Sequence, residues 1–175
     1  MILKEDSSEQ KLRGAYYTPL KLAKKMVDFF KDDLSIKSIL EPSCGDGVFV
    51  DALLESQFLS QHKRVTAIEI EKKEAEKLSE KLKDNSNIDV VNGDFFEFYH
   101  KHKDMDTYDL ILGNPPYIRY QYLEEKQRSE MAEILTSHGM KANKLINTWV
   151  GFMVACVHMS VSYTHLRAHE TVLDL

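Results

Sequence analysis

The chain has 175 residues, 43% hydrophobic, 10% aromatic and 29% charged, with seven glycines and four prolines. That is one domain or most of one, with enough apolar content for a real core and nothing of a disordered or fibrous chain. A formal net charge of −5 counts against a nucleic-acid binder, which needs a basic face, so if DNA is the substrate the contacting surface must be small, local or missing from this chain.

No apolar run approaches the roughly 20 residues of a membrane span, and the polar, acidic start Met1–Gln10 does not resemble a signal peptide. Cys44 and Cys156 make no disulfide framework and suit a reducing cytoplasm. Past a solvated lead (Lys4, Glu5, Asp6), Arg13 to Tyr17 brings two tyrosines up to a helix start. Thr18 before Pro19 predicts an N-cap with proline in the first turn, and Leu20, Ala23, Met26, Val27 and Phe30 keep helical spacing to about Lys31.

Ser38 to Glu41 predicts a short strand running into Pro42-Ser43-Cys44-Gly45-Asp46-Gly47. A helix starts near Gly47 with Val48, Phe49, Ala52 and Leu53 facing inward. Strand, glycine turn and helix form the first unit of a doubly wound nucleotide fold, with ligand over the carboxyl end of the strand. Two glycines are short of the full dinucleotide fingerprint, and an ordinary turn stands as the alternative. The next strand, Arg64 to Ile70, places Glu69 about 24 positions after Gly45, close to the roughly 20 residues that separate a ribose-binding acid from such glycines. A carboxylate suits two adjacent sugar hydroxyls because it offers only acceptors.

Glu71 to Leu82 predicts a solvated helix over a thin stripe of Ala75, Leu78 and Leu82. A third strand from Asn87 ends before Asp94 and Phe95, an acid and a ring suited to the amine and the face of a cofactor base. The alternative, an Asx cap on a short helix Phe95 to His100, is compatible with that role. His100 and His102 are expected at the surface, and their i, i+2 spacing offers no metal site.

The fourth strand, from Tyr108-Asp109 through Leu110-Ile111-Leu112-Gly113, stops at Asn114-Pro115-Pro116-Tyr117. Two prolines end regular structure and push the residue before each into an extended conformation. The corner can hold the Asn114 side-chain oxygen and the Pro115 carbonyl as two acceptors for one amino group, beside the Tyr117 ring. Ile118 to His138 predicts two short helices as a lid, with Arg119, Lys126 and Arg128 solvated or on phosphate. Ile146 to Val157 predicts an apolar helix against the sheet, with no chemistry of its own.

Gly14-Ala15-Tyr16-Tyr17-Thr18-Pro19, Glu41-Pro42-Ser43-Cys44-Gly45-Asp46-Gly47, Glu69, Asp94-Phe95 and Asn114-Pro115-Pro116-Tyr117 occur in one order at compatible spacing. From about Gly14 to Val157 the set resembles the N6-adenine DNA methyltransferases of bacterial restriction–modification systems. Within them it is most like the group with an N-terminal cofactor motif and a C-terminal target-recognition domain. The resemblance implies a Rossmann-like α/β fold with a doubly wound, mainly parallel sheet, S-adenosylmethionine as methyl donor, and double-stranded DNA with a flipped adenine as acceptor. A restriction endonuclease or specificity protein would be a partner of the parent system.

By the same resemblance Thr18 closes the methionine end of the cofactor pocket, and Glu41, Ser43 and Gly45 form its floor. Glu69 holds the ribose with Ile70 against the adenine, Asp94 and Phe95 hold the base, and Asn114 borders both ligands. Asn114, Pro115 and Tyr117 are the catalytic set, and no metal is required. A protein-glutamine or ribosomal-RNA adenine methyltransferase is the neighbouring alternative. An inactive fragment with at most weak cofactor binding is the alternative of another class, since only four strands are legible where such sheets usually have seven. Val161 to Thr171 resembles the translation of a sequencing-library adapter, so residues 1–160 are expected to be the N-terminal part of the catalytic domain and 161–175 a non-native tail. His165, His169 and Glu170 are accordingly given no metal.

Overall fold

A computed structural model describes residues 18–59, 63–142 and 147–168. The elements run α1 (Leu20–Asp28), β1 (Ser38–Glu41), α2 (Val48–Glu55), β2 (Arg64–Glu69), α3 (Lys72–Lys81), β3 (Ile88–Asn92), α4 (Phe95–His102) and β4 (Tyr108–Gly113). A 3-10 turn (Tyr120–Tyr122), α5 (Glu125–Ser137), α6 (Thr148–His158) and β5 (Ser160–Ala168) complete the chain. The strands form one parallel sheet in the order β3-β2-β1-β4-β5. From β1 the chain winds outward to β3, then returns to lay β4 on the other side of β1. This places the topological switch between β1 and β4, with the helices in two layers.

Alternation along the strands builds both cores. Ile39, Ala67, Leu110 and Leu112 face a cluster with Ala23, Val27, Phe49, Leu53 and Leu78 from α1, α2 and α3. Leu40, Ile68 and Ile111 face the other, with Phe95, Phe96, Tyr99, Met131, Ile134, Phe152 and Cys156 from α4, α5 and α6. Cys44 and Cys156 are free, buried and on opposite faces of the sheet. At the amino end, the Asp109 carboxylate accepts from the backbone N–H of Lys37 (2.8 Å) and Ser38 (2.9 Å) and from the Ser38 hydroxyl (2.9 Å), which pins the start of β1 to β4. None of the described helices is long and apolar enough to cross a membrane.

Several expectations are corrected. The first helix begins at Leu20 with Pro19, not Thr18, as its cap, and it ends at Asp28. Pro19 is extended (φ −61°, ψ 134°), so its carbonyl, accepting from Leu22 (2.8 Å) and Ala23 (3.1 Å), starts the helix. The lid of two short helices is one 3-10 turn and one 13-residue helix whose Met131, Ile134 and Leu135 lie in the core. His100 and His102 are half-buried on α4, and His102 stacks on Phe98 at 4.1 Å and meets Asp106 at 2.7 Å.

Four strands are legible in the sequence, and the described residues form five. The fifth pairs with β4 from Tyr108↔Ser160 to Gly113↔Ala168 through a register irregularity. Backbone pairing is tolerant of side chains, so an exposed β4 edge accepts a segment that alternates as this one does. The tyrosine pair Tyr16-Tyr17 with Gly14 and Ala15, and the distal His169 and Glu170, lie outside the described residues.

Candidate active site

Parallel strands put all their carboxyl ends on one edge, and four of them deliver the residues singled out in the sequence. β1 ends in Glu41, β2 in Glu69, β3 just before Asp94, and β4 just before Asn114. Open α/β sheets bind ligands outside the strand ends at the switch point, which here lies between Glu41 and Asn114. Gly113 makes the two meet: a Cβ on it would stand 3.3 Å from Pro42 Cδ. The corner therefore leaves β4 against the turn that follows β1. β2 and β4 flank β1, so Glu69 and Asn114 stand on strands about 10 Å apart.

Glu41 is 1% exposed, and neither carboxyl oxygen has a hydrogen-bond partner among the described residues. Burial first, then the charges of Asp46, Glu69 and Asp51, pushes its carboxyl well above the usual carboxylate range. Ser43 Oγ, two residues on, is also buried and has no partner among the described residues. A buried acid among acids is stabilised by a ligand that brings positive charge or hydrogen-bond donors to it. The Cys44 thiol is pushed up by burial first and then by Glu41, Glu69 and Asp46, which makes it an inert wall and not a nucleophile.

The turn that follows is held by Glu69. Its Oε2 accepts from the Gly45 N–H at 2.8 Å and its Oε1 from the Glu71 N–H at 2.7 Å, while each oxygen keeps further lone-pair capacity. Gly45 (φ +55°) has none of the described residues within 4 Å of where a Cβ would stand, so they leave the turn open on that side. Gly47 (φ +84°) starts α2 in the left-handed region, with Leu78 of α3 packed where its Cβ would be. Ile70, next to Glu69, is 55% exposed, an apolar surface at the strand end. The Asn92 amide donates to the carbonyls of Glu69 (2.9 Å) and Ile70 (3.2 Å), fixing their direction.

Asp94 caps α4, its Oδ1 accepting from Phe96 N (2.7 Å) and Glu97 N (3.3 Å), and its Oδ2 accepts from the Gln127 amide at 2.9 Å. The Asx-cap alternative is thus realised, and a planar NH2 group already occupies the other oxygen. The Phe95 ring is 3% exposed and lies 4.7 Å from that of Phe152, so much of its surface is spent in the core. Thr18 is buried but stands on no strand end; it precedes α1, on the α1–α2–α3 side of the sheet.

At the corner itself Pro115 is buried, Asn114 half-buried and the Tyr117 ring 57% exposed. Sequence reasoning missed what holds it. Thr148, 2% exposed at the start of α6, donates its hydroxyl to the Pro116 carbonyl (2.6 Å) and accepts from the Ile118 N–H (2.9 Å). Its own N–H donates to the Ile118 carbonyl at 3.0 Å, and an antiparallel bridge joins Arg119 to Asn147. The only sequence signal is a β-branched hydroxyl at the head of an apolar run.

A family model described as "Eco57I restriction-modification methylase" matches residues 15–166. The chain is 32% identical over 128 residues to the type II methyltransferase M.HincII of Haemophilus influenzae, covering 73% of this chain and 22% of that protein. It is 28% identical over 143 residues to the type II methyltransferase M.AccI of Acinetobacter calcoaceticus, covering 82% and 25%. The crystal structure of the type I restriction-modification system methyltransferase subunit from Streptococcus thermophilus superposes with a TM-score of 0.66 at 16% identity, over 85% of this chain and 33% of that one. This chain therefore spans about a fifth to a third of the length of the curated relatives it matches. The structural likeness shows the fold, a doubly wound methyltransferase sheet.

Proposed function

This chain belongs to the Eco57I restriction-modification methylase family, and we propose that it transfers a methyl group from S-adenosylmethionine to the N6 amine of an adenine flipped out of duplex DNA. The observation that carries this reading is Glu41, a buried carboxyl with both oxygens unpartnered among the described residues, at the switch point beside the amide-and-proline corner. S-adenosylmethionine brings a cationic methionine end and an electrophilic methyl group, and the donor set suits it. Glu41 and Ser43 face the cationic end, Gly45 leaves the turn open, Glu69 takes the ribose hydroxyls, and the exposed Ile70 covers one face of the base. Asp94 accepts from the base amine in place of Gln127, with Phe95 behind it, and Thr18 closes the far end.

On the acceptor side, an adenine amine is a poor nucleophile because its lone pair is delocalised into the ring. Asn114 Oδ1 and the Pro115 carbonyl accept its two N–H groups, which favours a more tetrahedral nitrogen and frees the lone pair. Stacking on Tyr117 offsets about 1–3 kcal/mol of what the base loses on leaving the duplex. Membership of the family supports work in a restriction–modification system; we further propose a cytoplasmic setting and a nuclease or specificity protein as partner. Residues 1–160 are the N-terminal part of the catalytic domain, and 161–175 are a non-native tail, on its likeness to translated adapter sequence.

The test is Asn114→Ala in the intact protein, followed by calorimetry with S-adenosylmethionine and by tritium transfer to DNA. Cofactor binding should persist while transfer drops by about a hundredfold, the loss expected when a reacting group is misplaced by about 1 Å. Transfer at the wild-type rate contradicts the role given to the corner. Label entering RNA or protein in place of DNA favours the neighbouring methyltransferase classes.

A further inference from the structure

The Pro115-Pro116 pair makes the corner stiff in φ but poor in donors, because neither proline carries an N–H. The chain just past it must be held by something else, and Thr148 is what holds it. One hydroxyl, 2% exposed, bonds on both sides of Tyr117, donating to the Pro116 carbonyl at 2.6 Å and accepting from the Ile118 N–H at 2.9 Å. The Ile118 carbonyl, in turn, takes the Thr148 N–H at 3.0 Å. That N–H is one of the helix-start donors that no residue inside α6 can satisfy. The hydroxyl hydrogen goes to Pro116, with the Ile118 carbonyl farther off at 3.3 Å, and one of the oxygen's two lone pairs takes the Ile118 N–H.

Both peptide groups that flank Tyr117 are thereby fixed relative to α6. The Tyr117 ring, 57% exposed, is presented from a backbone that cannot turn about either neighbour without breaking one of these bonds. We propose that Thr148 is a positioning residue for methyl transfer, setting the direction of the Tyr117 ring and of the preceding carbonyl corner through the Pro116 and Ile118 peptide groups. The inference rests on the reading of Asn114 to Tyr117 as the acceptor site. The residue touches neither ligand in that reading and acts only through the backbone.

Thr148→Val removes the hydroxyl and keeps the shape, whereas Thr148→Ser keeps the hydroxyl and drops a methyl group. Both are compared with wild type in the intact protein by three measurements: calorimetry with S-adenosylmethionine, kcat and KM for tritium transfer to unmethylated plasmid DNA, and hydrogen exchange at the Ile118 amide. The valine variant should bind S-adenosylmethionine as wild type does and exchange Ile118 faster. Its kcat should fall by about tenfold to a hundredfold, and the serine variant should recover most of the loss. A valine variant with wild-type kcat overturns the proposal. So does a serine variant as impaired as the valine one, or a loss of cofactor binding that accompanies the loss of transfer, since either makes Thr148 merely structural. A wild-type protein that binds S-adenosylmethionine yet methylates no DNA refutes the acceptor reading itself, a failure distinct from the other three.

Discussion

Glu41 carries the most testable charge in the chain. The folded protein holds its proton more tightly than the unfolded chain, in which a glutamate titrates near about pH 4.3. Between that pH and the raised folded value the native state binds more protons, so stability of the ligand-free protein falls as pH rises. Glu41→Gln keeps the shape and removes the titration. Thermal unfolding across pH should show the variant with a flatter decline than wild type above about pH 4.3, together with weaker S-adenosylmethionine binding. Parallel curves would show that Glu41 is not held neutral by its surroundings. Asp109 does not confuse the comparison: its carboxyl is buried in part, which raises its pKa, but the bonds from Lys37 and Ser38 outweigh this and hold it below the usual range. Its contribution is present at higher pH and is lost only as pH falls through that depressed value.

At this scale the sequence was informative where spacing is local. Glu69 stood out by its distance from Gly45, and the Asp94 cap by its place before Phe95. Thr148, Gln127 and Asn92 did not, because their partners lie 30, 33 and 23 residues away and meet them only across the folded sheet.

Among the elements, α6 links the core to the site, since its first residue holds the corner and its middle packs on α4 and α5. Gly151 is the contact: a Cβ there would stand 2.6 Å from Met131 Cγ and 3.0 Å from Phe96 Cζ. Alanine is the better helix former by about 1 kcal/mol, but overpacking a buried contact costs about 1–3 kcal/mol. Gly151→Ala should therefore lower stability by about 1 kcal/mol in urea denaturation, and an unchanged or raised midpoint would mean that the helices separate freely. Helix and strand periodicity located α1 to α4 and the first four strands within a few residues. It misjudged α5, where polar residues outnumber the buried Met131, Ile134 and Leu135, so a helix that closes the core resembled a solvated lid. At α1 the Thr-Pro pair matched two N-terminal signals at once, and the extended backbone of Pro19 made the proline itself the cap.

For the whole molecule, the alternation of apolar strands with glycine turns and helices implied a parallel doubly wound sheet, and that is the sheet found. Strand order was not legible, because nothing in the composition of β4 says that it returns to lie beside β1. Yet this return is what brings Gly113 onto Pro42 and the amide corner onto the glycine turn. The fifth strand, Ser160–Ala168, is not legible because the stretch Val161 to Thr171 reads by its likeness to adapter sequence, while pairing with β4 depends on backbone geometry.

The central claim, that the corner presents an adenine amine to the methyl donor, is tested most directly by the chemical identity of the product. Unmethylated DNA is incubated with the intact protein and labelled S-adenosylmethionine, digested to nucleosides and resolved by chromatography and mass spectrometry. The predicted result is label in N6-methyladenine alone. Label in a methylated cytosine, or DNA left unlabelled by a protein that binds the cofactor, would contradict it.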